Sequence, residues 1–159
     1  MPRKTTKSLQ RLIKPDRKYN SVQVQRLINK SMLNGKKQAA ERMVYAALEL
    51  AAKKVKSENP LEVLETALSN ISPNYEVKSR RVGGANYQIP FPIQGHRQEH
   101  FAFMWLVQAA RARKGAPYQE RLAGEIVDAI NQTGAAYKKK EDTHRMAEAN
   151  RAFAHFARS

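Results

Sequence analysis

Two histidines and a glutamate near the middle of the chain have the spacing of a zinc-peptidase motif. The string His96-Arg97-Gln98-Glu99-His100 matches the H-x-x-E-H pattern. On a helix this spacing places two imidazoles one turn apart, and the chemistry also needs a carboxylate base and a third metal ligand. An arginine interrupts the motif, and no neighbouring segment supplies an acidic third ligand. We therefore predict a partly basic helix start here, with no metal ligand and no catalytic residue.

A glycine pair offers a second chemical possibility, a loop that cradles phosphate. Such a loop needs a strand before it, a helix behind it and a Lys-Ser/Thr pair for the metal. After Val82-Gly83-Gly84 the chain continues with the alternating run Tyr87, Ile89, Phe91, which is typical of a strand. We interpret the glycines as the tip of a hairpin. The chain has no cysteine, which excludes disulfides and thiolate catalysis, and no cofactor is expected.

The net charge is the strongest functional signal. The chain has 29 Lys+Arg and 14 Asp+Glu in 159 residues, which gives +15. Typical small domains carry a net charge of about 2 to 8, so a polyanionic partner is expected. The cations form several separated clusters, which favours a folded RNA that surrounds the protein over a straight duplex. The predicted RNA-binding residues are Arg3, Lys4, Lys7, Arg11, Lys14, Lys18, Arg26, Lys30, Lys36, Lys37, Lys78, Arg80, Arg81, Arg97, Arg111, Arg113, Lys114, Lys138, Lys139, Lys140 and Arg145.

Hydrophobic periodicity predicts a mainly α fold, a six-helix body with one protruding β-hairpin between the third and fourth helices. The predicted elements are helices from 21 to the Asn34-Gly35 pair, 36–55, 60–71, 96–113, from Pro117 to Gly134, and 141–156, with a ribbon at 73–93. Leu64, Trp105 and the phenylalanines of the fourth and last helices are core candidates. No apolar run approaches the roughly 20 residues that span a bilayer, so no membrane contact is expected.

The first 18 residues form a separate unit in this interpretation. Seven of them are basic and only Asp16 is acidic, so the segment cannot bury itself. A mitochondrial presequence is the alternative, but Pro2 and Pro15 argue against a targeting helix. We predict a tail at 1–18 that is disordered without RNA, followed by a helical RNA-binding domain at 19–159.

Several strings are specific enough to indicate a family. These are Met1-Pro2-Arg3, Gly35-Lys36-Lys37, Glu76-Val77-Lys78-Ser79-Arg80-Arg81-Val82-Gly83-Gly84, His144-Arg145-Met146-Ala147-Glu148-Ala149-Asn150 and Ala152-Phe153-Ala154-His155. Together they closely resemble the bacterial form of small-subunit ribosomal protein seven, over nearly the whole chain. In one stretch, residues 94–100, this chain has fewer arginines than the family pattern.

The resemblance implies a structural component of the small ribosomal subunit that binds the 3′ major domain of its rRNA directly and nucleates assembly of the head. It places the hairpin tip, Val82, Gly83 and Gly84, near the exit-site tRNA and the mRNA exit channel. Arg151 and His155 would face tRNA or a neighbouring platform protein. Neighbouring head and platform proteins would be partners, and binding of the protein's own mRNA would be a secondary role. The implied location is the cytoplasmic ribosome, with an organelle-encoded ribosome as the alternative.

A different class of function is an architectural protein that bends DNA, because basic β-ribbons also enter grooves. Such proteins usually carry an apolar wedge at the ribbon tip. The Val82-Gly83-Gly84 tip is a poor wedge, so RNA is favoured.

Overall fold

The computed structural model describes residues 12–158. Within that range the chain forms six α-helices, an antiparallel hairpin and a C-terminal 3-10 helix. The elements are α1 (Val22–Ser31), α2 (Lys37–Val55), α3 (Pro60–Ile71), β1 (Tyr75–Val82), β2 (Ala85–Pro92), α4 (His96–Ala112), α5 (Tyr118–Ile130), α6 (Gly134–Ala149) and the 3-10 helix (Arg151–Arg158). The predicted mainly α body with a hairpin between the third and fourth helices is confirmed.

Local capping explains where two of the helices begin. The Oγ of Ser21 accepts a hydrogen bond from the Val24 N–H at 3.5 Å, and the Oδ1 of Asn59 accepts one from the Leu61 N–H at 3.1 Å. The end predicted for α1 was too late, because the helix stops at Ser31. Asn34 and Gly35, with φ of 51° and 73°, instead form the left-handed turn that leads into α2.

One hydrophobic core lies between the helices. Leu64 is fully buried and Trp105 is 6% exposed, as predicted, and Phe103 is also buried. Phe101 is half-buried and packs against the same core. None of the helices found between residues 12 and 158 is long and apolar enough to cross a bilayer.

The hairpin is buried at its base and exposed at its tip. Its register pairs Tyr75 with Pro92 and Val82 with Ala85, so Gly83 and Gly84 alone form the turn. Their φ values of 57° and 89° suit the primed turns that match strand twist. Ile89, near the base, is fully buried. β1 packs against α6, and β2 packs against the 3-10 helix.

The last helix begins earlier than predicted. The sequence predicts it at 141–156, with Gly134 ending α5, but α5 ends at Ile130 and α6 starts at Gly134. The buried carboxylate of Glu125 accepts a hydrogen bond from the Ala136 N–H at 2.8 Å, which caps α6 from a different helix. Lys138, Lys139 and Lys140 therefore lie inside α6 and do not precede it.

A buried aspartate anchors the chain just before α1. Asp16 is 4% exposed and accepts hydrogen bonds from the backbone N–H groups of Lys18, Tyr19 and Ser21 at 2.8–2.9 Å. The Tyr45 hydroxyl on α2 donates a fourth at 3.1 Å. Burial alone would raise the pKa of Asp16, but these four donors together lower it. The predicted disorder of residues 1–18 without RNA stays a prediction.

Candidate nucleic-acid interface

The outer half of the hairpin exposes cations. Arg80 and Arg81 are exposed neighbours near the end of β1, close to the Gly83-Gly84 turn. Apart from the chain neighbours, no atom of residues 12–158 lies within 4 Å of the positions where side chains would start at these glycines, so the turn is open to a close-fitting partner. Arg80 also donates a hydrogen bond to the Phe156 carbonyl at 3.1 Å, which joins the hairpin to the 3-10 helix.

A second cationic surface lies at the start of α2. Lys36 and Lys37 are both exposed, the first turn of α2 contains no acidic residue, and Lys36 makes no side-chain capping bond. The N-terminus of a helix already carries partial positive charge and unpaired N–H groups. Two lysines at this end are therefore unfavourable for the isolated helix, and they favour a phosphate placed there.

Exposed lysines and arginines continue over other faces of the body. Lys30 lies at the end of α1, Lys114 follows α4, and Lys138 and Lys139 lie on α6. The Arg145 side chain is 80% exposed and lies 3.9 Å from the Asp142 carboxylate. Lys14 is exposed and precedes the Asp16 anchor, whereas Arg3, Lys4, Lys7 and Arg11 lie outside the described residues.

Several predicted RNA contacts are paired with carboxylates of the same chain, and the arginines among them include Arg26, Arg97 and Arg113. Arg26 bonds Glu99, and Arg97 bonds the buried carboxylate of Glu76 at 2.8 Å. Arg113 donates to Glu125 at 2.7 Å and also pairs with Asp128. Burial alone would lower the pKa of Arg113, but the bonds to these two carboxylates raise it.

Three further cations bond groups within the body. Arg111 donates to the carbonyls of Lys30 and Ser31 at 3.3 and 3.5 Å, at the end of α1. The Lys140 ammonium donates to the Asn70 carbonyl at 2.6 Å, and burial lowers its pKa. Lys18 pairs with Glu49. That these residues contact RNA stays a prediction, as it does for the more exposed cations.

The C-terminal 3-10 helix packs its aromatic rings on the hairpin. The Tyr87 ring lies 5.1 Å from that of Phe153 and 5.5 Å from that of Phe156, between centroids. The prediction that both phenylalanines lie in the core of a last α-helix is wrong in the type of helix, because residues Arg151–Arg158 form a 3-10 helix. Their spacing of three residues suits the 3-10 helix observed, in which positions i and i+3 eclipse. Arg151 and His155 are exposed on this helix.

The H-x-x-E-H string lies at the start of α4. The His96 side chain is 87% exposed, and Glu99 pairs with Arg26. Burial, with smaller effects of Lys30 and Arg97, lowers the pKa of His100. Between residues 12 and 158, no cluster of three or more histidine, aspartate or glutamate side chains could hold a metal ion.

Sequence reasoning missed the buried acids that organise this surface. Asp16, Glu76 and Glu125 are buried, although aspartate and glutamate are rarely buried unless paired. The Arg97 partner of Glu76 lies 21 residues away, and Arg113 lies 12 residues from Glu125. Neither spacing carries a periodic signal. The one clue available in the sequence was Glu76, a single acidic residue in a ribbon whose other charged residues are basic.

Comparison with known proteins agrees with the sequence resemblance. Residues 2–151 match the family described as ribosomal protein S7p/S5e. A small ribosomal subunit protein uS7 from Chloroflexus aggregans is 57% identical over 148 residues, which cover 93% of this chain and 94% of that protein. Proteins of the same name are 54% identical in Thermomicrobium roseum, over 98% of this chain and 99% of that one, and 56% identical in Dictyoglomus thermophilum, over 92% and 93%. The chain therefore belongs to the S7p/S5e family of ribosomal proteins.

Proposed function

We propose that this protein binds the 3′ major domain of small-subunit rRNA directly and nucleates assembly of the subunit head. The family is one of ribosomal structural proteins and not of enzymes. The observation that carries the proposal is the distribution of exposed cations around one hydrophobic core. They lie on the hairpin, at the start of α2 and on the outer face of α6. Such an arrangement suits RNA strands that converge from several directions.

The physical mechanism is neutralisation of converging phosphates by a body of fixed shape. Strands of a folded RNA repel one another, and cations at set positions between them stabilise one geometry of the junction. The core supplies the fixed positions, because the helices pack around side chains such as Leu48 and Leu106 that are fully buried. Assembly of the head would follow from holding that junction.

No described residue of the hairpin or of the 3-10 helix belongs to the main hydrophobic cluster of the body. We place them near the exit-site tRNA and the mRNA exit channel, with Arg151 and His155 towards tRNA or a neighbouring platform protein. The open Gly83-Gly84 turn supports a close approach to a groove. Other head and platform proteins are further partners, the protein's own mRNA is a secondary ligand, and the bacterial relatives favour a cytoplasmic ribosome.

The double variant Lys36→Glu/Lys37→Glu tests the surface at the start of α2. Acidic residues at a helix N-terminus stabilise the helix, so the fold should survive. Because a hydrogen bond to a charged group contributes about 1.5–3 kcal/mol, we expect affinity for an rRNA fragment of the 3′ major domain to fall at least about tenfold. The plot of log affinity against log salt should become shallower by about 1.4 to 1.8.

The control for this experiment lies at the other end of the same helix. Lys53→Glu/Lys54→Glu makes the same change of charge at two exposed lysines that are not predicted to bind RNA. Filter binding or fluorescence anisotropy measures the RNA affinity of both variants, and circular dichroism checks their fold. The comparison shows whether a loss of affinity comes from a local contact or from the change in net charge. Equal losses in the two variants would contradict a specific contact at Lys36 and Lys37.

A further inference from the structure

The hairpin contains one acidic residue, and that residue is buried. Glu76 is the only Asp or Glu in β1 and β2, which otherwise carry Lys78, Arg80 and Arg81. It lies near the base of β1, and its side chain is 8% exposed. A buried carboxylate is costly unless its oxygens are paired, so its partners indicate what it does.

Both oxygens of this carboxylate are occupied by cations. Arg97 donates from Nε at 3.0 Å and from Nη2 at 2.8 Å to Oε2, and the Lys78 ammonium lies 2.5 Å from Oε1. Burial alone would raise the pKa of Glu76, but the bonds from Lys78 and Arg97 lower it. The carboxylate is therefore ionised at neutral pH and attracts both partners.

Aromatic rings also contact the same two cations. The Arg97 guanidinium lies 4.7 Å from the centroid of the Phe101 ring, one turn further along α4. The Lys78 ammonium lies 5.1 Å from the Phe91 ring, and Phe91 is the cross-strand partner of Glu76. Cation–π contacts of this kind add to the attraction of the carboxylate. Each cation is thus held by a carboxylate oxygen and an aromatic ring, with about half of its side chain exposed, 52% for Lys78 and 50% for Arg97.

The cluster also joins the hairpin to the helical body. Glu76 belongs to β1 and Arg97 to the first turn of α4, so their bonds cross from ribbon to core. Just before β1, the Asn74 N–H donates to His144 of α6 at 3.0 Å. A two-stranded ribbon is marginal in water by itself, so contacts at its base decide its direction.

We propose that Glu76 is a positioning residue for the hairpin, which fixes its angle on α4 and withholds Lys78 and Arg97 from RNA phosphates. The inference rests on the proposed RNA-binding function. It changes the role expected for Lys78 and Arg97, which were predicted to contact RNA and instead bond Glu76. The phosphate contacts of the hairpin then come from its outer half. Removing the carboxylate should therefore increase the charge available to any RNA while reducing selectivity for the folded one.

The salt dependence of binding separates a phosphate contact from a positioning residue. Loss of one phosphate contact makes the plot of log affinity against log salt shallower by about 0.7 to 0.9. Arg97→Gln should leave that slope unchanged, whereas Arg81→Gln, at an exposed position on the same ribbon, should reduce it. Glu76→Gln should make the slope steeper by about 0.7 to 0.9 for each cation released. The preference of the Glu76→Gln variant for rRNA over an unstructured polyuridine of equal length should be at least threefold lower than that of the parent protein.

Hairpin direction is measured separately with a pair of spin labels. The chain has no cysteine, so Asn86→Cys and Gln108→Cys, at exposed positions on β2 and α4, give one label each. The distance distribution between the labels should be narrow in the parent and in Arg81→Gln, and broader in Glu76→Gln and Arg97→Gln. This readout needs no RNA, so it tests the base of the hairpin independently of binding.

The outcomes are distinct. If Arg97→Gln reduces the salt slope as Arg81→Gln does, Arg97 is a phosphate contact and the proposal is overturned. The same holds if Glu76→Gln changes neither slope nor label distances. Failure of the parent protein to bind the rRNA fragment would instead overturn the proposed function, while broadened distances in Glu76→Gln would still support the positioning of the hairpin.

Discussion

Replacing Glu125 with Ala will lower the free energy of unfolding by about 1–3 kcal/mol, the usual cost of leaving a buried hydrogen-bond donor without its acceptor. Glu125 is fully buried, and it bonds Arg113 through one oxygen and the Ala136 N–H through the other. The variant leaves that N–H without its acceptor and opens a cavity. Urea denaturation followed by circular dichroism measures the change.

An exposed glutamate gives the reference for this measurement. Glu65→Ala, on the outer face of α3, should change stability by no more than about 0.5 kcal/mol, as is usual for surface positions. Glu125→Gln retains the volume and one acceptor, so its loss should lie between those of the two alanine variants. If Glu125→Ala costs no more than Glu65→Ala, the network between α4, α5 and α6 does not stabilise the fold.

Replacing Leu64 with Ala will lower the free energy of unfolding by about 2–5 kcal/mol, as for other fully buried large-to-small changes. Leu64 has no exposed surface and lies within the main hydrophobic cluster. The same change at Leu61, which is partly buried on the same helix, should cost less. A larger loss at Leu61 than at Leu64 would mean that α3 presents a different face to the core.

Elements with local signals could be predicted from the sequence. For α3, an asparagine cap and a proline at the first position mark the start, and leucines at helical spacing mark the buried face. For the hairpin, alternation of period two on both sides of a glycine pair was sufficient. These signals lie within a few residues of the feature that they determine.

Features that depend on distant partners could not be predicted. Gly134 was interpreted as the end of α5, because a glycine near a predicted helix end is a C-cap signal. Its positive φ of 86° instead serves the start of α6, which Glu125 caps from another helix. Likewise, nothing in the local sequence indicates that Phe153 and Phe156 pack against Tyr87, more than 60 residues earlier.

The same limit applies to the candidate interface. Charge clustering located basic surfaces but could not show which cations bond groups of the same chain. Arg113 and Lys114 are adjacent, yet the first is held by two carboxylates and the second is exposed. Burial and pairing of each side chain depend on packing between helices that are far apart in the sequence.

The central claim is that scattered cations on a rigid helical core hold a folded RNA. The most direct test measures the affinity for an rRNA fragment of the 3′ major domain at several salt concentrations, with duplex DNA as competitor. With about ten phosphate contacts, log affinity should fall against log salt with a slope of roughly −7 to −9. Duplex DNA of equal length should compete poorly. An affinity that barely changes with salt, or equal competition by duplex DNA, would contradict the account.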